Sequence, residues 1–181
     1  MIRLTNSSLL GYCKIGIWQD DEMDYIEIDG HKLHLFRAGD ETKPKLVFMS
    51  GSGTVSPVYD FKILYEKLVS DFRIIVIEKF GYGCSDLYEG PCDVDSVVAY
   101  QRRALENAEL VDAAGAIACP ILMFISDGKQ VSSGWIEHGR AFAELMTAGT
   151  IYLNCGHYIH YYESDRISQE ITSFVNQAIS S

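Results

Sequence analysis

Two short segments near the start of the chain alternate polar and apolar residues. The first is Asp-Tyr-Ile-Glu-Ile-Asp at 24–29, and after Gly30 the alternation resumes over 31–37. Alternation on both sides of a glycine predicts an antiparallel hairpin. The runs at 45–49 and 73–77 are instead continuously apolar and rich in β-branched residues, which is typical of strands buried on both faces of a parallel sheet.

Segments with helical spacing alternate with the apolar runs along the chain. Between the first two, residues 59–69 place Phe61, Leu64, Leu68 and Val69 on one stripe, which predicts a helix and a right-handed βαβ unit. The amphipathic segment at 94–116, with Asp93 or Asp95 as cap, is either two helices or a helix and a loop. The remaining predicted elements are helices at 134–146 and 165–179, and strands at 121–125 and 150–153.

The order of these elements predicts an α/β fold. We expect a single three-layer domain over 1–181, with a mostly parallel sheet and the N-terminal antiparallel hairpin at one edge. Residues 1–22 are either an N-terminal extension or a strand packed on the edge.

Charge and cysteine content narrow the function classes. The 181 residues carry a formal charge of -10, and their basic residues are scattered, which argues against a nucleic-acid surface. The five cysteines form no C-x-x-C pair and are odd in number, so neither a zinc knuckle nor a closed disulfide framework is indicated, and a reducing cytoplasm fits best. No segment approaches the roughly 20 apolar residues that a membrane span requires. The apolar core near the N-terminus is too short for a signal peptide.

Chemistry is expected in the loops that follow the predicted strands, because active sites of parallel sheets lie beyond the carboxyl ends of the strands. After 45–49, Gly51, Ser52 and Gly53 let the backbone approach a ligand and could supply oxyanion donors. Glycines here are also what any strand-to-helix turn uses. The other such loops contain Gly81 and Gly83, Asp127, and Gly156-His157.

These loops resemble those of the α/β hydrolases. Phe-Gly-Tyr-Gly-Cys-Ser-Asp at 80–86 is similar to the R-G-x-G-x-S-x loop, whose glycines shape the wall of the site. Gly156-His157 before a closing helix resembles the loop that carries the catalytic histidine. The resemblance implies an α/β-hydrolase fold and ester- or amide-bond chemistry, with His157 at the catalytic position. Asp127 is either the triad acid or a turn residue, since Asp-Gly is also a common turn dipeptide.

The nucleophile expected in that superfamily is missing from the sequence. No G-x-S-x-G pentapeptide occurs, and the interval between about Ala108 and Cys119, where the elbow should fall, contains no serine. The elbow strand, its helix and any lid are absent together, as after an internal deletion. Candidate replacements on loops at the same end of the sheet are Ser50, Ser52, Cys84 and Ser85, of which Cys84 could be activated if His157 reaches it.

Two functions from different classes follow. The first is a hydrolase by descent whose serine-triad catalysis is impaired or lost. The alternative is a non-catalytic α/β domain that binds a small apolar ligand or a protein. We expect no cofactor and no metal cluster, because His31 and His34 alternate out of step and the loop at 81–86 lacks the last glycine of the dinucleotide fingerprint. The expected partners are a small molecule and, through an exposed strand edge, a second copy of the chain.

Overall fold

The computed structural model describes residues 24–49, 54–91, 93–107 and 120–180. The chain divides into two compact units. The first joins the described residues up to Asp60 to those from Phe72 through Asn107, and the second joins Phe61–Asp71 to the described residues from Pro120 onward. The predicted extension at 1–22 lies outside the described residues, and the assignment of 1–181 to a single domain stays a prediction.

A four-stranded sheet forms the centre of the first unit. Its strands run in the spatial order β1-β2-β4-β3. Their bounds are β1 Asp24–Ile28, β2 His31–Ala38, β3 Lys45–Met49 and β4 Arg73–Ile77. The hairpin is confirmed: β1 and β2 pair antiparallel in the register Asp24 with Leu35 through Ile28 with His31.

The prediction of a mostly parallel sheet is wrong for this unit. β3 and β4 pair in parallel as expected, but β2 pairs with β4 antiparallel, so two of the three pairings are antiparallel. The reason is topological: the hairpin inserts its second strand next to β4, and the chain then crosses back to place β3 on the far side of β4.

The hairpin turn follows from its two central residues. Asp29 has a φ of 54° and Gly30 a φ of 77°, and positive φ at both positions is what a type I′ turn requires. At the surface, the Arg103 guanidinium donates two hydrogen bonds to the Asp29 carboxylate, at 2.6 and 2.9 Å. The turn is therefore fixed both by its own backbone and by an arginine from the helix at Val94–Asn107.

Helices pack on this sheet through a continuous apolar core. α1 spans Pro57–Asp60 and α3 spans Val94–Asn107. Asp93 caps α3, because its carboxylate accepts hydrogen bonds from the Ser96 N–H and hydroxyl. The predicted extension of this helix to residue 116 lies outside the described residues. The buried core residues come from the strands, the following loop and α3: Ile26, Ile28, Leu33, Leu35, Ile75, Ile77, Phe80 and Ala104.

The second unit contains a separate two-stranded parallel sheet. β5 spans Leu122–Ile125 and β6 spans Gly149–Tyr152, with α4 at Trp135–Leu145 packed against both. The short helix α5 spans Ile159–Tyr162. α2, Lys62–Leu68, packs against the closing helix α6, Ser164–Ser180, and the Lys67 ammonium lies 2.5 Å from the Asp165 carboxylate. The strands of the described residues therefore form two sheets where one was predicted.

None of the helices within the described ranges combines the length and the apolar content that a membrane span requires.

Candidate functional site

His157, the predicted catalytic base, lies on the loop that follows β6. Its side chain is exposed, and its ring meets the Trp135 ring edge-on with centroids 5.4 Å apart. Its backbone N–H donates a hydrogen bond to the side-chain oxygen of Gln130 at 3.2 Å. The position at a strand end matches the sequence expectation, while the role of the ring as a base stays a prediction.

The Asp127 carboxylate is bonded within its own turn. Its carboxylate accepts a hydrogen bond from the Lys129 backbone N–H at 3.0 Å and lies 3.2 Å from the Lys129 ammonium. The backbone hydrogen bond, with help from that ammonium, holds the pKa of Asp127 below its usual value. Gly128 has a φ of 70° and packs so closely on Trp135 that a side chain there would overlap the indole. Among the described contacts, the Asp127 carboxylate makes none with His157.

Glu78, directly after β4, carries a buried carboxylate in the first unit. Its side chain is only 1% exposed, yet three donors converge on its carboxylate. Oε2 lies 3.0 Å from Nδ1 of His34 and accepts from the Cys84 backbone N–H at 2.8 Å, while Oε1 accepts from the Ser56 hydroxyl at 2.6 Å. Burial by itself raises the pKa of Glu78, but the hydrogen bonds from His34, Ser56 and Cys84 outweigh it, so this pKa lies below the ordinary glutamate value.

The glycine-rich loop after β4 is folded around this carboxylate. Gly83 has a φ of 52°, and a side chain there would overlap the Glu78 carboxylate. The Gly81 N–H donates to the Asp86 carbonyl and the Gly83 N–H to the Val55 carbonyl, each at 2.8 Å. Both N–H groups thus hold the shape of the loop, while the predicted role of Gly81 and Gly83 in the wall of a site stays a prediction. The predicted oxyanion residues Gly51, Ser52 and Gly53 lie outside the described residues.

The candidate replacement nucleophiles on this loop are both engaged. The Ser85 hydroxyl donates to the Glu78 carbonyl at 2.6 Å and accepts from the His34 N–H at 2.9 Å. The sulfur of Cys84 is in a disulfide, so it offers no thiolate in this state. Cys155 is a free thiol, and burial together with the charges of Glu163 and Asp127 raises its pKa, which disfavours a reactive thiolate there. Ser50 and Ser52 lie outside the described residues.

Similarity to known proteins was found at the level of architecture and in one partial sequence match. A structure described as a predicted CIB-like hydrolase from Thermoplasma acidophilum superposes with a TM-score of 0.67 and 12% identity, covering 86% of this chain and 98% of that one. The thioesterase domain from the curacin biosynthetic pathway superposes with a TM-score of 0.59 and 10% identity, covering 83% and 98%. The chain has the α/β-hydrolase fold.

The sequence match does not add an activity to the α/β-hydrolase fold. The uncharacterized protein YbdG of Bacillus subtilis is 38% identical over 80 residues, which are 44% of this chain and 24% of that protein. The matched part thus spans about a quarter of the curated relative. No protein-family profile matches the chain. At 10–12% identity, the two structural matches show the α/β-hydrolase fold and nothing finer.

Sequence reasoning found the loop landmarks of the α/β-hydrolase fold but missed the Glu78 cluster. His34 and Ser56 reach Glu78 from separate parts of the chain, through the antiparallel pairing of β2 with β4 and the start of α1. One signal was present in the sequence: a charged residue follows directly on the apolar run 73–77, at the boundary with the glycine-rich loop. A carboxylate at the end of a buried strand needs partners, because an unpaired buried charge is strongly disfavoured.

Proposed function

We propose that this protein descends from α/β hydrolases that cleave ester or amide bonds and that its own serine-triad turnover is absent or strongly impaired. The observation that carries the proposal is the bonding of Asp127, whose carboxylate is engaged by Lys129 within its own turn. A triad needs a chain of hydrogen bonds from nucleophile to base and from base to acid. The absence of G-x-S-x-G from the sequence supports the same conclusion for the nucleophile.

The test combines covalent labelling with turnover. The purified protein is incubated with a fluorophosphonate and its intact mass is read, and hydrolysis of p-nitrophenyl acetate is followed in parallel. His157→Ala removes the candidate base, and His138→Ala is the matched control, since His138 is also an exposed histidine of the second unit. Any activity from imidazole side chains in general should fall equally in both variants.

We expect no fluorophosphonate adduct, low ester hydrolysis in the wild type, and the same small decrease in both variants. A single adduct that His157→Ala abolishes and His138→Ala preserves would overturn the proposal. Without a nucleophile, any rate above that in water comes only from binding and residual oxyanion donors.

A non-catalytic binding role is the second candidate, favoured by the tyrosines after His157. Tyr158, Tyr161 and Tyr162 are 55%, 59% and 57% exposed, and exposed aromatic groups of this kind are common at binding surfaces. The discriminating measurement is the thermal unfolding of the wild type and of Tyr161→Ser with and without an apolar probe such as anilinonaphthalene sulfonate. Binding at this surface is supported if unfolding is cooperative and the probe raises the midpoint temperature of the wild type but not that of Tyr161→Ser.

A further inference from the structure

Three side chains of the first unit bring a nitrogen, an oxygen and a sulfur atom together. A ring nitrogen of His34, a carboxylate oxygen of Glu78 and the sulfur of Cys84 all lie within 4.8 Å of one another. They come from β2, from the position after β4 and from the glycine-rich loop, so the fold and not the local sequence assembles them.

This donor set has the chemistry of a zinc site. Thiolate, imidazole and carboxylate are the protein ligands of Zn²⁺, with bonds of about 2.0–2.3 Å, which places neighbouring ligand atoms of a tetrahedral ion about 3.3–3.8 Å apart. Nδ1 of His34 and Oε2 of Glu78 are already 3.0 Å apart. The three atoms therefore need shifts of about an ångström or less to surround one ion.

Charge balance favours the same ion. Glu78 is almost completely buried, where an uncompensated charge is unfavourable. One thiolate and one carboxylate together neutralise a divalent cation, and a neutral imidazole leaves the sum at zero. The Ser56 hydroxyl on Oε1 would remain in place and hold the carboxylate in orientation, as the outer partners of metal ligands commonly do.

We propose that His34, Glu78 and Cys84 form a redox-gated zinc site. It binds Zn²⁺ and one water when Cys84 is reduced, and it does not bind the ion when Cys84 is in its disulfide. The site shares Cys84 with the candidate replacement nucleophiles but includes neither Asp127 nor His157, and it does not depend on the proposed loss of triad turnover. It is a binding site that sequence reasoning did not predict.

The gate follows from the state of the Cys84 sulfur. In the disulfide this sulfur is neutral and covalently bonded, so it is not a thiolate ligand. A dithiol reductant supplies two electrons and two protons: the S–S bond breaks, two protein thiols form, and the reductant closes to its own disulfide. Zn²⁺ then replaces the proton of the Cys84 thiol, which leaves to solvent, and the Zn–S bond forms.

The experiment uses the full chain in both redox states. Protein reduced with dithiothreitol and freed of it anaerobically is titrated with Co²⁺, whose sulfur-to-cobalt charge-transfer absorption reports a thiolate ligand, and then with Zn²⁺ as competitor. Oxidised protein is titrated in the same way. Cys84→Ser and His34→Gln remove ligands, and Cys155→Ser is the matched control, because Cys155 is a free thiol of the second unit.

We expect reduced wild type and Cys155→Ser to bind one Co²⁺ per chain with the charge-transfer band, and Zn²⁺ to displace it. Cys84→Ser should lose the band, His34→Gln should weaken affinity by about 10-fold or more, and oxidised wild type should show no band. The comparison of redox states needs no variant, so it stands even if a substitution impairs folding. A missing band in the reduced wild type, a band retained by Cys84→Ser, or a band lost in Cys155→Ser would each overturn the proposal.

Discussion

Replacement of Glu78 by glutamine tests whether its buried carboxylate holds the glycine-rich loop. The glutamine oxygen, placed where Oε2 lies, keeps neutral hydrogen bonds with His34 and with the Cys84 N–H, and its amide nitrogen faces the Ser56 hydroxyl, which can rotate to accept. The geometry is thus largely retained while the charge is removed. The measurement should use oxidised, metal-free protein so that the zinc proposal does not enter.

The size of the effect follows from the three bonds. A hydrogen bond to a charged group contributes about 1.5–3 kcal/mol, and its neutral counterpart is roughly half as strong. Weakening the bonds around Glu78 therefore removes about 2–4 kcal/mol, and the neutral side chain recovers part of this because a buried charge no longer has to be desolvated. We expect Glu78→Gln to lower the free energy of unfolding by about 2 kcal/mol and Glu78→Ala, which leaves all three donors unpaired, by about 3–5 kcal/mol.

The pH dependence gives a second, independent readout. The folded-state pKa of Glu78 is depressed, so its contribution to stability is present above the unfolded-state pKa and is lost as pH falls through the folded-state pKa. The stability difference between the wild type and Glu78→Gln should therefore be constant near neutral pH and shrink as pH falls below the ordinary glutamate pKa of about 4.3.

Urea unfolding followed by far-ultraviolet circular dichroism measures the difference, and hydrogen exchange at the Cys84 amide reports the loop directly. Glu66→Gln is the control: Glu66 is half exposed and paired at 3.6 Å with Lys62, and it should change stability by no more than about 0.5 kcal/mol. Equal urea midpoints for Glu78→Gln and Glu66→Gln would refute the reasoning, as would a Glu78→Gln difference that does not depend on pH in acid.

Two further predictions concern the backbone. Gly83→Ala should destabilise the protein by at least about 2 kcal/mol in urea unfolding, since the new methyl group would overlap the Glu78 carboxylate. Gly30→Ala has open space around it and should cost only the backbone strain of about 1 kcal/mol. Equal effects of the two substitutions would contradict the close approach of Gly83 to Glu78. Asp93→Ala should lower the melting temperature because α3 loses its cap, whereas Asp95→Ala, at the second position of the helix, should lower it less, because it loses only a favourable charge in the first turn. Equal melting temperatures for the two variants would contradict the capping role.

Elements governed by local sequence were predictable. The hairpin follows from period-two alternation around Asp29 and Gly30, and the cap of α3 from an aspartate before a helical stripe. The bounds of β3 and β4 matched the apolar runs residue by residue. In each case the deciding interactions lie within a few residues of one another.

The sheet arrangement and the Glu78 cluster could not be predicted for the opposite reason. Whether β2 pairs with β4, and in which direction, depends on closing a loop of about 40 residues, and no local pattern encodes the outcome. Once Leu35 lies opposite Ile77, His34 is carried to Glu78 as a consequence. His34 then becomes a partly buried hydrogen-bond partner, although its place in the alternating pattern had suggested only a strand residue.

β2 pairs with β1, which is adjacent in sequence, and with β4, which is distant in sequence. This difference sets the order in which the two pairings form during folding. The β1–β2 pairing closes over the two residues Asp29 and Gly30 and can form in microseconds, whereas the β2–β4 pairing must first restrict a long stretch of chain. The Glu78 contacts need that second pairing, so they should be absent from the transition state. Mutations at the turn should then slow folding, while mutations at Glu78 should mainly accelerate unfolding and shorten the lifetime of the native state.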